Sequence, residues 1–317
     1  MDYILTVPVN NEEKALPLLM KSIVNQTVLP KLCVIVDDGS TDNTPEIINK
    51  LERDFTWICH KRLARHVRDK WKFSPKGSPR FAKVVNEGFE YAREICNKND
   101  INYEYLGKVD ADVILPEDYF EKLMEQFQQD PQLGIASGGV YKVRVEGSII
   151  DASKAAGHKR GLPDCPTDGA RLYRKACFND IGGFPLIRYS PDSVALAKAR
   201  LRGWRTRRFK EIKIFLNRAE WGGNFWEGYK FDGYLSYCLN HHPLLSLFRV
   251  WSALKQRPHW GVFAWLYGYF LGFLHREEKI ADPELRYYYR HQRLREITKI
   301  VVRKLRAPFR WRQEGKL

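Results

Sequence analysis

Two aspartates one residue apart, Asp110 and Asp112, close the apolar run 103–109. Carboxylates that close repel unless a cation lies between them, and hard oxygen ligands suit Mg²⁺ or Mn²⁺ holding a diphosphate. A second acidic pair, Asp37-Asp38, ends the β-branched run 32–36 and is followed by Gly39-Ser40-Thr41-Asp42-Asn43-Thr44. A carboxylate at a strand's carboxyl end can accept hydrogen bonds from a base or a ribose, and ligands of open α/β sheets bind at those ends. Each pair also has an ordinary explanation: an Asp-x-Asp turn leading to a helix, and a well-made strand-to-helix turn. Two acidic strand ends in one chain favour the ligand-binding explanation for both.

The elements around them follow from periodicity. Residues 2–9 read as a short apolar strand stopped by Pro8. Asn10-Asn11-Glu12-Glu13 has the composition of a helix start, with Leu16, Leu19 and Ile23 marking one helical face. The run 32–36 is the second strand, and a helix over 45–53 follows, capped by Asp42 or Thr44 with Pro45 at its first position. Strand, helix, strand, helix predicts a parallel sheet with right-handed crossovers. A third strand is expected over 55–60. The basic segment 61–72 and Ser74-Pro-Lys-Gly-Ser-Pro79 read as a surface loop able to touch phosphates. Phe81, Val84, Val85, Phe89 and Ala92 mark an amphipathic helix. The next helix is expected to start near Pro116, with Glu117 and Asp118 in its first turn and Tyr119, Phe120, Leu123 and Phe127 along it. A glycine-rich strand over 135–145 follows. The first strand is not followed by G-x-G-x-x-G, and G-x-x-x-x-G-K-[ST] occurs nowhere, which argues against a dinucleotide fingerprint and a P-loop.

These motifs, in this order and spacing, resemble family 2 glycosyltransferases: Val36-Asp-Asp-Gly-Ser-Thr-Asp-Asn-Thr44, then Asn86, then Asp110-Ala-Asp112. Gly169-Ala-Arg-Leu-Tyr-Arg-Lys-Ala-Cys-Phe178 resembles the passage before the acceptor site, and Ile181-Gly-Gly-Phe184 the family's Gly-Gly-Phe turn. The stretch from Pro191-Asp192 to Gly203-Trp204 resembles the segment that opens on Glu-Asp, with Pro191 replacing the acidic neighbour. The resemblance covers roughly residues 2–216. It implies the GT-A fold, an α/β class with a Rossmann-like, mixed but mostly parallel central sheet flanked by helices. It places a glycosyltransferase domain over 1–216, with a nucleotide-binding half (1–113) and an acceptor-side half (114–216). It further implies inverting transfer of a sugar from a nucleoside-diphosphate sugar to a hydroxyl or lipid phosphate, in polysaccharide, glycolipid or glycoprotein glycan assembly. Asp112 is then the metal ligand and Asp110 supports it or the ribose. Asp38 and then Asp37 hold the base, with Pro8 beside them in the donor site, and Lys76 or Arg80 neutralises phosphate. Asp192 becomes the base that deprotonates the acceptor; its other reading is an ordinary helix N-cap. The third metal ligand stays open, with His241 and His242 in the second half.

The net charge of +15 lies in the second half: residues 1–154 hold 21 Lys+Arg against 24 Asp+Glu, and residues 155–317 hold 32 against 14. Such a half suits an anionic partner. Residues 217–317 read as an aromatic and basic C-terminal helical extension. The glycines at 222, 223, 228 and 233 predict loops among its first aromatics, which could form a sugar platform or a core. The 15 uncharged residues 260–274 fall short of the roughly 20 a membrane span needs. With the basic tail 286–312 they suggest peripheral contact with an anionic membrane. Met1-Asp2-Tyr3 runs straight into a strand and the six cysteines are scattered, so a cytoplasmic location, peripheral on the inner face of the cell membrane, is the expectation. A sugar-phosphate nucleotidyltransferase would want a Gly-rich, Arg/Lys-containing loop after the first strand, where residues 10–13 stand. A non-catalytic nucleic-acid binder would leave the acidic strand ends unexplained, so no nucleic-acid partner is expected.

Overall fold

Apolar side chains alternate between two buried faces along each early strand, as a parallel sheet covered on both sides requires. The computed structural model describes residues 1–64, 79–143, 149–151, 163–188, 190–216, 225–242, 244–245, 261–299 and 302. Strands β1 (Tyr3–Val9), β2 (Leu32–Asp37), β3 (Ile58–Arg62) and β4 (Tyr105–Val109) lie in the order β3-β2-β1-β4, all parallel. The sheet then becomes mixed. It continues through β8 (Ala170–Arg174), β6 (Leu133–Val143), β9 (Arg205–Leu216) and β5 (Val113–Ile114), with β7 (Ile149–Asp151) on β6. β8 runs antiparallel to both β4 and β6, while β6 and β9 are parallel.

One sheet face packs Leu5, Val7, Cys33, Ile35 and Val109 against helices α1 (Leu16–Val24) and α4 (Tyr119–Gln129). On this side Leu16, Leu19 and Ile23 are buried, as their spacing predicted, and Ile48 of α2 (Thr44–Asp54) joins them. The other face packs Ile4, Val34, Val36 and Leu106 against Val84, Val85, Phe89 and Ala92 of α3 (Arg80–Lys98). Phe178 of α5 (Lys175–Asp180) and Ala195 and Ala199 of α6 (Pro191–Leu201) complete that layer. The Gly182-Gly183 turn after α5 has both residues at positive φ, and their amides return to the Asn179 and Phe178 carbonyls.

Several boundaries differ from the sequence expectation, each for a physical reason. Pro8 does not stop β1. It sits opposite Val36 of β2, beyond Thr6, where the pairing of β1 with β4 ends. A residue without an N–H is tolerated there. Residues 10–13 do not start a helix, because their polar groups are used elsewhere. Asn10 Nδ2 donates to the Asp38 carbonyl (2.8 Å), Glu12 N to Thr44 Oγ1 (2.9 Å) and Glu13 N to Asp42 Oδ2 (3.2 Å). These bonds bind the end of β1 to the turn after β2, and α1 begins only at Leu16. α4 begins at Tyr119 rather than near Pro116, since the Glu117 carbonyl accepts the Thr27 amide (2.8 Å). β3 lies over Ile58–Arg62, so it takes in Lys61, which pairs with Glu87 at 2.7 Å.

The chain divides into two compact units, Met1–Gly222 and Gly223–Leu317. The second holds α7 (Phe225–Cys238), α8 (Gly261–Leu274) and α9 (Pro283–Tyr287), followed by a π-helical turn at Tyr288–Gln292. At Gly228 and Gly233 the loops expected from interleaved glycines are instead helix α7, while Gly222 and Gly223 lie outside the described residues. Its Gly233 lies where a Cβ would come 1.8 Å from the Trp265 carbonyl oxygen, and Gly268 of α8 is set equally close to the Lys230 carbonyl. Glycine here lets two helix backbones touch, which outweighs its poor helix propensity. Among the described residues, no helix is long and apolar enough to cross a membrane. All six cysteines are free thiols.

Gly88 provides a test of packing against propensity. A mid-helix glycine usually gains up to about 1 kcal/mol on replacement by alanine. In α3 an added Cβ would meet Thr6 Cγ2 at 2.2 Å and Val36 Cγ2 at 2.7 Å. Gly88→Ala is therefore expected to destabilise by about 1–3 kcal/mol in urea unfolding; a more stable variant would contradict this packing of α3 on the sheet.

Candidate active site

The chemistry gathers at the carboxyl ends of β2 and β4. Asp37 and Asp38 are both buried there. Asp37 Oδ1 accepts the Ser40 amide (2.9 Å), which shapes the turn, and Arg62 Nε stands 3.4 Å from its Oδ2. Asp38 is bonded to Arg80, through Nε at 2.8 Å and through Nη2, and Arg80 also donates to the Ala64 carbonyl (3.0 Å). The sequence assigned Asp38 to a base and Arg80 to phosphate; the structure joins the two as a pair at the first turn of α3. Pro8 is buried on β1 beside this end. Lys76 lies outside the described residues.

Asp110 and Asp112 occupy the turn directly after β4, where the Asp110 amide bonds to the Gly169 carbonyl (2.8 Å). Burial pushes the Asp110 carboxyl up to about 7. Lys108 draws it down, and Asp192 and Asp112 push it further up. Among the described residues, no three His, Cys, Asp or Glu side chains gather as a metal-holding group. Mg²⁺ is commonly held by one or two carboxylates together with substrate phosphates. Two carboxylates on one turn, Asp110 held partly out of water, fit such an ion shared with a diphosphate, and no third side chain is required.

Two residues overlooked in the sequence organise the site. Lys108 of β4 is 0% exposed, and its register partner on β8, Arg171, is 1% exposed. Lys108 Nζ lies 2.9 Å from Asp110 Oδ1, 3.7 Å from Asp192 Oδ1 and 4.9 Å from the centre of the Phe81 ring. Arg171 donates through Nε to the Thr167 carbonyl (2.7 Å) and through Nη1 to the Asp192 carbonyl and Oδ1 (2.9 and 3.1 Å). Its Nη2 serves the Pro166 carbonyl (2.9 Å) and Asp168. Five donors thus meet five acceptors. Burial opposes the Lys108 charge, yet Asp110, Asp192 and Asp168 raise its pKa above the ordinary value, and Asp192 and Asp168 do the same for Arg171 against its burial. Tyr173, on the same face of β8, is pushed up to about 12 by burial. The available signal was a cation inside each apolar strand, Lys108 in 105–109 and Arg171 in 170–174, where a second arginine, Arg174, stands at the strand's end. A charge in such a run is rarely buried unless it is paired.

Asp192 sits in the first turn of α6, after Ser190 in the left-handed region (φ 44°) and Pro191. Ser190, not Asp192, is the N-cap residue of α6, and the Asp192 carboxylate faces Arg171 and Lys108. The ordinary N-cap reading therefore does not describe it. Asp38 and Arg80 form one charged group, and Asp110, Lys108, Asp192, Arg171 and Asp168 form another, with Asp112 acting on Asp110. His241 lies in the second unit, its ring 5.1 Å from that of Tyr289.

Comparison with known proteins agrees with this architecture. The model of "Glycosyl transferase family 2" matches residues 5–194. A poly-beta-1,6-N-acetyl-D-glucosamine synthase of Staphylococcus aureus (strain COL) is 23% identical over 230 residues, 68% of this chain and 50% of that protein. The synthase of Staphylococcus epidermidis is 25% identical over 183 residues, 54% of this chain and 39% of its own. The chain thus spans at most about half the length of these curated relatives. Among solved structures, the mannosyltransferase PcManGT from Pyrobaculum calidifontis, in complex with GDP-Man and Mn²⁺, has a TM-score of 0.56 at 15% identity. It covers 97% of this chain and 81% of that one. S. aureus TarS has a TM-score of 0.52 at 16% identity, covering 81% of this chain and 44% of its own. These likenesses carry the fold: a mixed α/β sheet flanked by helices, of the GT-A kind.

Removing one partner from a buried ion pair leaves the other charge uncompensated. Lys108→Met should therefore cost about 3–5 kcal/mol of stability in urea unfolding at neutral pH. Adding Asp192→Asn should recover part of that loss, because the repelling carboxylate is gone. Strictly additive losses would show that the two residues are not coupled.

Proposed function

The chain belongs to glycosyl transferase family 2, and on that premise we propose that it moves a sugar from a nucleoside-diphosphate sugar to an acceptor hydroxyl or lipid phosphate, with inversion, in glycan assembly. One observation carries this reading. Asp110 after β4 and Asp192 opening α6, far apart in sequence, converge on a single buried lysine.

Asp112, with Asp110, would hold Mg²⁺ or Mn²⁺ against the diphosphate; such an ion supplies charge stabilisation to the departing phosphate oxygens. The Asp37/Asp38 turn, with Pro8 beside it, would receive the nucleoside. Because Arg80 is bonded to Asp38, its part in the donor site is to fix that carboxylate. Lys76 would neutralise phosphate. Asp192 would take the proton from an acceptor hydroxyl. Arg171 holds both its backbone and its carboxylate, so the base is oriented before substrate arrives, which is where positioning lowers a barrier. An ionised phosphate acceptor has no proton to give, and Asp192 would then serve only to position it. TarS in complex with UDP-GlcNAc and PcManGT in complex with GDP-Man share this fold, which supports a nucleotide sugar as donor. A nucleotide sugar as donor and a glycan or lipid-linked acceptor are the substrate classes proposed.

Asp112→Ala is expected to lower transfer by at least about 10³-fold and to weaken metal-dependent nucleotide binding in calorimetry. Near-wild-type transfer would contradict the metal assignment. Asp192→Asn keeps an oxygen for Arg171 but no base. It should lower kcat by about 10²–10⁴-fold with donor affinity unchanged, whereas loss of donor binding would contradict the base role.

A further inference from the structure

Helix α8 is apolar all round: GVFAWLYGYFLGFL carries no charge over its 14 residues. A helix of that kind is normally covered on every side. Here Gly261, Val262, Ala264, Trp265, Gly268 and Gly272 are buried, and the glycines bring it onto α7. The opposite side is largely exposed, although the Tyr267 and Phe273 rings lie 6.2 and 6.5 Å from those of Trp226 and Tyr237 on α7. Phe263 is 67% exposed, Tyr267 50%, Phe270 57%, Phe273 61% and Leu274 71%. Positions 263, 267, 270 and 274 follow the i, i+4, i+7, i+11 spacing of one helical stripe, with Phe273 at its edge. At about 200 Å² for each large side chain, these fractions expose roughly 600 Å² of mostly aromatic surface. That is the upper end for a monomer's largest apolar patch, and such patches mark an interaction site.

Size and charge select the occupant. A standard protein interface buries about 800 Å² on each partner, more than this stripe offers alone. Residues 223–317 hold 17 Lys+Arg against 8 Asp+Glu, a net +9. Two copies meeting through this unit would bring like charge together, whereas an anionic lipid surface would be attracted. His275 and Arg276 follow the stripe. The helix is about 21 Å long at 1.5 Å per residue, too short to span a bilayer but long enough to lie in its interface. Phenylalanines can enter the acyl boundary while the Tyr267 hydroxyl stays at headgroup level.

We propose that the Phe263–Tyr267–Phe270–Leu274 face of α8 docks on an anionic bilayer surface, holding the protein in the plane of the lipid headgroups. This does not depend on the sugar-transfer reading, and it is tested without any nucleotide sugar. The full chain is mixed with vesicles of phosphatidylcholine containing about one third phosphatidylserine, and with phosphatidylcholine alone, then floated on a density gradient. Flotation with the anionic vesicles, weakening as salt is added, is expected. Phe263→Asp with Phe270→Asp changes two exposed positions and should reduce it at least about ten-fold with an unchanged melting temperature. Should that pair unfold the protein, Phe270→Trp keeps the face apolar, and the difference between its emission and that of the wild type, which has nine tryptophans of its own, should shift to the blue on addition of anionic vesicles. The proposal is overturned by flotation that the double variant retains, by equal flotation with neutral vesicles, or by an unshifted Phe270→Trp emission. It is also overturned if wild type stays off the vesicles and sediments as a dimer that the double variant abolishes, for then a second copy covers the face.

Discussion

Two cations buried side by side set the terms for everything around them. Lys108 and Arg171 face each other across the β4/β8 pairing with essentially no contact with water. Taking a charge out of water costs several kcal/mol per ion even after relaxation, and the cost is met only when opposite charge and hydrogen bonds close around it. Asp110, Asp192 and Asp168 supply the charge, and the Thr167, Pro166 and Asp192 carbonyls complete the Arg171 shell. None of these groups can turn away without stranding a buried cation. The acids with chemical potential are thereby held still by a structural requirement unrelated to substrate.

The topology explains why this arrangement forms at one end of the sheet. Four parallel strands deliver their carboxyl ends, and so Asp37, Asp38 and Asp110, to the same edge. β8 then runs back antiparallel beside β4, which sets Arg171 against Lys108 rather than at the far end. Where the β6/β9 register shifts between Gly138 and Gly139, the strands lie so close that a Cβ at Gly138 would fall 2.3 Å from the Ile212 carbonyl oxygen. Asp192, at the start of α6, reaches the cluster where a helix N-terminus favours negative charge.

Much of this was legible in the chain. The acidic strand ends, the alternating apolar runs and the helical face of α3 are local patterns, and they appear where periodicity put them. What escaped depends on partners distant in sequence. Asn10 to Glu13 look like a helix start until their amides are seen to be taken by residues near Asp42 and Thr44. The glycines of α7 look like loop punctuation until α8 is laid against them. Lys108 and Arg171 read as exceptions in apolar strands, and their meaning appears only when the two strands are paired. Arg80 was assigned to phosphate by its charge, yet its guanidinium is bonded to Asp38.

A protein of this family with acids held in this way should act on a nucleotide sugar. The most direct test is to incubate the full chain with a panel of nucleoside-diphosphate sugars, with Mg²⁺ or Mn²⁺ and with chelator, and to follow release of the nucleoside diphosphate. Release from at least one donor, dependent on the divalent ion, is the predicted result. A folded protein that binds and cleaves none of them under any of these conditions would contradict the account.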